Sequence, residues 1–378
     1  MIQSQASEIS IVYIFRNRDP MRVRRSLDSL TRQSDQNFNI IFVDYGSDEP
    51  LKSEIQELVC SYPRVKYVHA LTQGQPWNRS HAINIGIKIA QTEFIFTADI
   101  DMIFRSDFVS KIHELTTELC AVYFAAYYLP ESFSDWEHID SVRYSKSKDY
   151  ALGWALLPNS KVKELGGYDE FYSFWGQEDN DMESRLKSAG VKTIYFDQDI
   201  LMFHQWHPLS TSLKQEYPEG WGIFQLNYMD YHKDSIIRNR ENEWGKPITA
   251  QDRPALQKFN SGNLIFEVIP YGYNFFAFHL ASTFMHCKSG EHIALQFVDT
   301  LSQVHAHSNL GKMIAGMQWI IKILRMPFEV WSKYRHLYST VYQVRHQTML
   351  FILSHRPLIS DYFFQMDEKN FKIIIFKK

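Results

Sequence analysis

The sequence of 378 residues predicts an α/β protein with a Rossmann-like, mostly parallel sheet that carries helices on both faces, followed by a mainly helical C-terminal extension. Two observations predict this class. Short apolar runs alternate with segments whose apolar residues recur at helical spacing, and the runs end at polar or turn-forming residues. The composition, with 45% hydrophobic and 22% charged residues, is that of an ordinary globular protein with a large core.

The first part of the chain alternates strands and helices. Strands are predicted at 9–15, 38–43, 65–68 and 94–98, and helices at 22–30 and 78–90. Arg16, Asp44 and Asp99 each follow or end one of these strands. Because ligands of such sheets bind beyond the carboxyl ends of the strands, we expect these three side chains at a binding edge.

The pattern continues to about residue 210 and then changes. The predicted elements are a helix at 106–119, strands at 121–127, 151–158 and 191–196, a surface loop from Glu131 to Asp149, and a helix from Asn180 to Ala189 that ends at Gly190. We place a first domain at 1–218 and an accessory region at 219–378. Within the latter, 312–353 is helical in pattern, aromatic and mostly positive, which predicts helices packed on the first domain, with contact to an anionic membrane surface as the alternative.

The net charge and the cysteine content limit which binding partners and which cellular compartment are expected. A net charge of -3 gives no general reason to expect nucleic acid as a partner. Cys60, Cys120 and Cys287 are widely spaced and odd in number, which argues against a disulfide framework and favours a reducing compartment. The N-terminus is polar, which argues against a signal peptide. No apolar run reaches about eighteen residues, so no membrane-spanning helix is predicted. We therefore expect a cytoplasmic protein, with peripheral contact at the inner face of the membrane as a further option.

Asp99-Ile100-Asp101 ends the fourth predicted strand. The chain holds three Asp-x-Asp pairs, and only this one closes a strongly apolar run. Its carboxylates are hard oxygen ligands that suit Mn²⁺ or Mg²⁺ holding the phosphates of a donor. His204 or His207, just after the last predicted strand, can complete the metal shell. The alternative for the aspartate pair is an ordinary solvated turn.

A second acidic group, Glu178 and Asp179, follows Trp175-Gly176-Gln177. A flat apolar ring, a flexible glycine and adjacent carboxylates suit binding a sugar ring and removing a proton from one of its hydroxyls.

Three arginines are candidates for binding phosphate. Arg16 and Arg18 follow the first strand, and Arg79 lies at the start of a predicted helix, where anions bind well. Asp44 can accept a hydrogen bond from the imide of uracil. The alternatives are an ordinary exposed charged loop for Arg16 and Arg18, and a turn-stabilising aspartate for Asp44.

These motifs, in this order, resemble those of β-1,4-galactosyltransferases and are similar to those of bacterial chondroitin-polymerase-type and other family 2 glycosyltransferases with a GT-A fold. The resemblance covers about residues 8–210, and five motifs in one order are far more specific than any one of them. The motifs are Phe15-Arg16-Asn17-Arg18, Trp77-Asn78-Arg79-Ser80 with Asn84-Ile85-Gly86, Asp99-Ile100-Asp101, Gly166-Gly167-Tyr168-Asp169, and Trp175-Gly176-Gln177-Glu178-Asp179-Asn180-Asp181.

The resemblance implies an inverting, metal-dependent glycosyltransferase that uses a UDP-sugar. The acceptor expected from this class is a saccharide or glycolipid, in bacterial surface polysaccharide or glycoconjugate synthesis. The implied donor contacts are Phe15, Arg16, Arg18, Asp44, Arg79 and Asp99. The implied ligands of Mn²⁺ (or Mg²⁺) are Asp99, Asp101 and His204 or His207. Glu178 and Trp175 would bind the acceptor, and Asp179 would be the base.

Three positions depart from this family pattern. Gln177 stands where glycine is common, Tyr45 stands where many relatives have a second aspartate, and the spacing to the histidines is not that of the galactosyltransferases.

Three other functions are alternatives to this one, and the sequence has a feature that bears on each. A retaining enzyme of the N-acetylgalactosaminyltransferase type typically has Trp-Gly-Gly-Glu-Asn, without the carboxylate that Asp179 provides here. A sugar nucleotidyltransferase needs a glycine-rich loop after the first strand, and Phe15 to Pro20 contains no glycine. A non-catalytic saccharide-binding protein does not need intact carboxylates at every one of these positions.

Overall fold

The computed structural model divides the chain into two compact units. It describes residues 9–117, 119–133, 144–173, 176–207, 239, 243–269, 273–298, 340–367 and 369–378. Of these, the first unit holds 9–72, 76–207, 239 and 243–248, and the second unit holds the remainder. The domain boundary predicted near residue 218 lies outside the described segments.

The first unit is built on one sheet. Its strands are β1 (Ile9–Phe15), β2 (Phe38–Asp44), β3 (Val65–His69), β4 (Phe94–Asp99), β5 (Met102–Phe104), β6 (Cys120–Tyr128), β7 (Ser145–Pro158), β8 (Lys192–Phe196) and β9 (Met202–His204). They lie in the order β3-β2-β1-β4-β7-β6-β9-β5, with β8 beside β6. Parallel pairs outnumber antiparallel ones among the described strands, so the predicted mostly parallel sheet is confirmed.

Helices cover both faces of this sheet. They are α1 (Pro20–Thr31), α2 (Leu51–Cys60), α3 (Arg79–Ile89), α4 (Phe108–Glu114), α5 (Asn159–Glu164) and α6 (Glu178–Ser188). Because side chains alternate along β1, Ile11 shares one core with Leu27 of α1, whereas Val12 shares the other core with Ile83 of α3. The predicted placement of helices on both faces is thereby confirmed.

Strand β7 corrects one prediction. The sequence predicts a surface loop at 131–149, but the strand begins at Ser145. Its first residues pair with β6, where Lys146 lies opposite Tyr127 and Ser145 lies opposite Tyr128. Pairing with an apolar neighbour extends the strand into a polar segment whose own sequence has no strand pattern.

The second unit combines helices with a smaller sheet in its described part. Its elements are α7 (Pro254–Asn260), β10 (Glu267–Ile269), α8 (Tyr273–His286), β11 (His292–Val298), α9 (Thr340–Ser354), β12 (Ile359–Met366) and β13 (Asn370–Lys377). The strands lie in the order β10-β11-β13-β12, and this sheet is not predicted because the apolar runs after residue 219 show no clear period. α9 lies in the stretch 312–353 that is predicted to be helical, whereas 312–339 fall outside the described segments. Among the described helices, none is both long and apolar enough to cross a bilayer.

A buried ion pair organises the second unit. Arg253 and Asp361 are almost fully buried, and Nε of the arginine lies 3.0 Å from Oδ1 of the aspartate. Arg253 also donates to the carbonyl of Gln73, and the side chain of Gln75 donates to Asp361. These bonds explain why 73–75 pack with the second unit, although they lie between segments of the first.

The close approach of α3 to β1 makes a prediction about stability. A Cβ atom on Gly86 would overlap a methyl group of Val12, which is fully buried. Gly86→Ala is therefore expected to lower the free energy of unfolding by about 1–3 kcal/mol, because the helix must move away from the strand. Urea denaturation measures this loss. The same substitution should cost less in a Val12→Ala background, and an equal cost in both backgrounds would contradict the packing.

Candidate active site

The loops that follow β1 and β2 are tied together at the carboxyl edge of the sheet. Asn17 has a positive φ of 48°, and its side-chain amide donates to the Asp48 carboxylate at 2.8 Å. The amide oxygen of Asn17 accepts from the backbone N–H of Asp48 at 2.9 Å, and the backbone N–H of Asn17 donates to the Ser47 hydroxyl at 3.1 Å. Arg16 is half-buried and Arg18 is exposed beside this junction, so both arginines have surface for a ligand.

Two predicted donor contacts have side chains inside the protein. Phe15 is 1% exposed and packs against Phe42 in the core. Asp44 is fully buried, and its two carboxylate oxygens accept from the backbone N–H of Ser47 and the hydroxyl of Tyr67, each at 2.9 Å. This arrangement is the turn-stabilising role that the sequence leaves open for Asp44.

Tyr45, where many relatives have aspartate, also points to a structural role. Its side chain is buried, and its hydroxyl lies 3.0 Å from Nδ1 of His81. Nε2 of His81 lies 2.9 Å from the carbonyl oxygen of Lys246. Since a carbonyl only accepts, the proton sits on Nε2, and Nδ1 accepts from the tyrosine. Tyr45 therefore ties the loop after β2 to α3.

One arginine at the start of α3 is shared by three carboxylates. Nη1 of Arg79 lies 2.6 Å from Asp179 and 3.8 Å from Glu178, and Nη2 lies 3.8 Å from Asp99. Nη2 also donates to the carbonyl of Gly153 at 3.0 Å. The structure therefore brings together four of the predicted site residues in one charged cluster, which we call the Arg79 cluster: Arg79, Asp99, Glu178 and Asp179.

The acidic residues reach this cluster through a left-handed turn before α6. Gly176 and Gln177 have φ angles of 102° and 76°, which residues other than glycine adopt rarely. This conformation explains why glycine is common in the resembled family at the position of Gln177. Trp175 lies outside the described segments, so its contact with an acceptor stays a prediction.

The third carboxylate of the same motif has a different partner. Asp181 lies 2.6 Å from Arg185, and both side chains are buried. Arg185 also donates to the carbonyls of Leu165 and Gly167. Arg185 thereby anchors α6 to the Gly-Gly turn, and Asp181 holds its guanidinium in place.

Burial and mutual repulsion change the acidity of the Arg79 cluster. Burial, with repulsion from Asp179, raises the pKa of Glu178 to about 7, although Arg79 opposes the change. Burial also raises the pKa of Asp179, again against the pull of Arg79. For Arg79, burial favours the neutral form, but Asp179, Asp99 and Glu178 outweigh it and raise the pKa above its usual range. The arginine is therefore always charged, while the two carboxylates are stronger bases than usual.

A second cluster arises from the pairing of two three-residue strands that the sequence patterns do not indicate. β5 and β9 are antiparallel, with Met102 opposite His204. This register brings Asp101 within 3.4 Å of Nε2 of His204 and 3.2 Å of Nε2 of His207. Ligand atoms of the three residues all lie within 4.8 Å of one another. The structure thus groups both histidines with Asp101, whereas Asp99 lies in the Arg79 cluster.

This second cluster fits a divalent cation. Oδ1 of Asp101 is buried and has no hydrogen-bond partner among the described residues. Burial disfavours the charged form of Asp101, but His204 and His207 outweigh it and lower its pKa, which keeps the carboxylate ionised. One carboxylate with two imidazoles is a mixed oxygen and nitrogen set, and it suits Mn²⁺ better than Mg²⁺, which prefers oxygen ligands alone.

Two residues of β7 that line this edge, Gly153 and Trp154, are not predicted from the sequence. Trp154 donates from Nε1 to Asp99 at 2.9 Å and stacks on His204, with ring centroids 5.6 Å apart. A Cβ atom on Gly153 would lie 2.9 Å from Nη2 of Arg79, so any larger residue there would displace the guanidinium from its present position. The one sequence signal is a Gly-Trp pair inside an apolar strand, and it indicates burial before it indicates function.

A cavity of about 590 Å³ lies elsewhere in the first unit. Its lining includes Lys88, Lys163 and Trp244 and none of the predicted site residues. Nζ of Lys88 lies 3.8 Å from the centroid of the Trp244 indole. A Cβ atom on Gly167 would lie 2.7 Å from the same ring, so the indole already packs closely against both residues. The charged edge of the sheet, rather than this cavity, has the chemistry of a reaction site.

Stability is expected to depend on pH through Glu178. Its pKa rises from an ordinary 4.5 to about 7 on folding, so between these values the folded state binds more protons than the unfolded state. This contribution to stability is complete below about pH 4.5 and is lost as the pH rises through about 7. Glu178→Gln cannot ionise, so the variant does not lose this stability as the pH rises. The melting temperature of the variant minus that of the parent should therefore increase between about pH 5 and about pH 8. Glu57→Gln, at an exposed position of α2, is the control. A difference that stays constant with pH would contradict this assignment.

Two family models match the first unit. Residues 10–165 match the model for Glycosyl transferase family 2, and residues 139–207 match the model for the N-terminal domain of galactosyltransferase. The first match contains Arg79, Asp99 and Asp101, and the second contains Asp179 and His204. Both matches lie within the region whose motifs carry the resemblance.

Similar proteins share only part of the chain. Human chondroitin sulfate synthase 3 is 23% identical over 209 residues, covering 50% of this chain and 23% of that protein. The uncharacterized glycosyltransferase YfnE of Bacillus subtilis is 25% identical over 248 residues, covering 50% of this chain and 62% of that protein. The chain thus spans less than two thirds of either relative. A crystal structure of S. aureus TarS 1-349 in complex with UDP has a TM-score of 0.43 and 13% identity, covering 62% of this chain and 68% of that chain.

The motif order, the doubly covered sheet and the two family matches agree over the same residues. The first unit is therefore a GT-A glycosyltransferase domain related to glycosyl transferase family 2.

Proposed function

We propose that the protein transfers a sugar from a UDP-sugar to a hydroxyl of a saccharide or glycolipid acceptor, with inversion at the anomeric carbon and with bound Mn²⁺ (or Mg²⁺). The observation that carries this proposal is the pair of clusters at one edge of the sheet. Asp179 lies 2.6 Å from Arg79, and Asp101 lies beside His204 and His207. A proton acceptor and a site for the leaving group's charge are the two parts that an inverting transfer needs.

The donor side would use the arginines and the second cluster. Arg16, Arg18 and Arg79 would hold the diphosphate by charge-assisted hydrogen bonds, and Asp99 would contact the nucleotide sugar. A divalent cation held by Asp101, His204 and His207 would neutralise negative charge on the leaving UDP. Asp44 and Phe15 would act by shaping the loops around the nucleotide, since their side chains are buried.

The acceptor side would use the carboxylates at the start of α6. Asp179 would take the proton of the acceptor hydroxyl as its oxygen forms a bond to the anomeric carbon and the bond to UDP breaks on the opposite face. Burial raises the pKa of Asp179, which strengthens it as a base. Glu178 would hold a neighbouring hydroxyl, and Trp175 would stack against the sugar ring. General-base help of this kind typically contributes ~10²–10⁴ in rate.

Two alternatives use the same site differently. A retaining transfer would not need a carboxylate at the position of Asp179, so the aspartate present there favours the inverting route. A non-catalytic saccharide-binding protein would not need a buried pair whose basicity is raised. The names of the relatives, chondroitin sulfate synthase among them, support an acceptor that is itself a glycan.

We also propose a setting for the activity. The chain would work in the cytoplasm, in bacterial surface polysaccharide or glycoconjugate synthesis. The mostly positive charge in the sequence of 312–353 supports peripheral contact with the inner face of the membrane.

Loss of a predicted metal ligand tests the donor side. Asp101→Ala should weaken Mn²⁺ binding by about tenfold or more, and Mn²⁺-dependent UDP binding with it, because a charged ligand is removed. Calorimetry with Mn²⁺ and UDP measures both affinities, and the melting temperature should change little. Asp199→Ala, an exposed aspartate of another Asp-x-Asp pair, is the matched control. Undiminished UDP affinity in Asp101→Ala would remove this assignment.

Replacement of the proposed base tests the acceptor side. Asp179→Asn keeps the size of the side chain but cannot take a proton, so turnover with a UDP-sugar panel should fall by about 10²–10⁴. UDP affinity should hardly change, since Asp179 itself is not a proposed donor contact and asparagine keeps a side-chain oxygen beside Arg79. Glu178→Gln should instead raise the KM for the acceptor at least as much as it lowers turnover.

The stereochemistry of the product is an independent check on the same step. Proton NMR of the anomeric centre should show inversion relative to the donor. Retained configuration, or near-normal turnover of Asp179→Asn, would sink the proposed mechanism while leaving the domain assignment intact.

A further inference from the structure

Trp154 joins the two clusters, and no motif of the resemblance includes it. Its Nε1 donates to Oδ2 of Asp99 at 2.9 Å. Its ring lies stacked on the imidazole of His204, with centroids 5.6 Å apart and planes at 23°. The side chain is 4% exposed, so the indole is held in place by its surroundings. One buried ring therefore contacts a residue of each cluster.

The hydrogen bond fixes the orientation of Asp99. Oδ2 takes the indole N–H, and Oδ1 lies 3.8 Å from Nη2 of Arg79. The side chain of Asp99 is 39% exposed, so without the indole the carboxylate would be free to rotate toward solvent. The donor N–H of Trp154 thus keeps one oxygen of Asp99 turned toward the Arg79 cluster.

The stacked face fixes the plane of His204. Metal-binding histidines usually have their second nitrogen held by a carboxylate or carbonyl, which sets the ring orientation. Within the described part of the chain, Nδ1 of His204 has no hydrogen-bond partner. Trp154 stacks on the imidazole of His204. The ring of Tyr128 also packs against this imidazole, with ring centroids 5.3 Å apart and an interplanar angle of 62°. Aromatic packing therefore takes over the orienting role, with Nε2 directed at Asp101.

We propose that Trp154 is a positioning residue that orients both Asp99 and His204, and thereby couples binding of the nucleotide to binding of the divalent cation. This inference rests on the proposed function of the site. The competing explanation is that Trp154 is only a core residue, since it packs in the apolar cluster beneath the sheet. Two substitutions separate these explanations, because phenylalanine keeps a ring but loses the N–H, and leucine loses both.

The experiment measures Mn²⁺ affinity by electron paramagnetic resonance, and UDP affinity at saturating Mn²⁺ by calorimetry, on the full chain. Trp154→Phe should keep Mn²⁺ affinity within about twofold and weaken UDP binding by about tenfold. Trp154→Leu should weaken Mn²⁺ binding by about 10–100-fold and UDP binding at least as much as Trp154→Phe. Trp244→Phe, a tryptophan that packs against Lys88 away from both clusters, should change neither affinity.

Each outcome decides the inference. Parent-like Mn²⁺ affinity in Trp154→Leu would overturn the orientation of His204, and parent-like UDP affinity in Trp154→Phe would overturn the orientation of Asp99. A lower melting temperature with both affinities intact would assign Trp154 to the core alone and leave the proposed function standing. If the parent protein itself bound neither Mn²⁺ nor UDP, the proposed function would fail and the inference with it. Trp154→Phe keeps the test decisive if Trp154→Leu does not fold.

Discussion

The charge of Arg79 is the constraint on which the acidic edge of the first unit depends. Asp99, Glu178 and Asp179 come from the end of β4 and the start of α6, and without a cation beside them their negative charges would repel one another. The guanidinium lies 2.6 Å from Asp179 and 3.8 Å from the other two carboxylates. A single buried cation thus permits three acidic side chains to lie side by side, while burial still raises the basicity of two of them.

The placement of Arg79 in turn depends on how α3 is held. Gly86 lets the helix approach β1 closely, because any larger side chain would overlap Val12. On the same helix, the amide of Asn84 donates to the carbonyl of Tyr168 at 2.8 Å and accepts from its backbone N–H at 2.7 Å. These bonds lock α3 to the turn that precedes the acidic motif. Residues outside the Arg79 cluster therefore set the distance between the arginine and the carboxylates.

The second cluster depends on strand pairing between segments far apart in the sequence. Asp101 immediately precedes β5, and the register of β5 with β9 brings His204 and His207 to it. Trp154, on β7, then bridges this cluster to Asp99 through one hydrogen bond and one stacked ring. Under the proposed function, the donor binds where the arginines and the Asp101 cluster meet at the edge of the sheet, and the acceptor binds on the side of α6.

The sequence predicts the fold class and most of the residues proposed for the site, because apolar periodicity and motif order are local properties of a chain. It does not predict that the Asp44 side chain is buried or that both His204 and His207 lie beside Asp101. It also does not predict that Trp154 contacts both Asp99 and His204. Those features come from cross-strand contacts and from burial, which a local pattern does not contain. A three-residue strand is too short to show alternation. A tryptophan in an apolar run has the same pattern whether it only packs in a core or also donates a hydrogen bond to a carboxylate. The three-dimensional fold distinguishes these cases, because it alone specifies which distant segments pair.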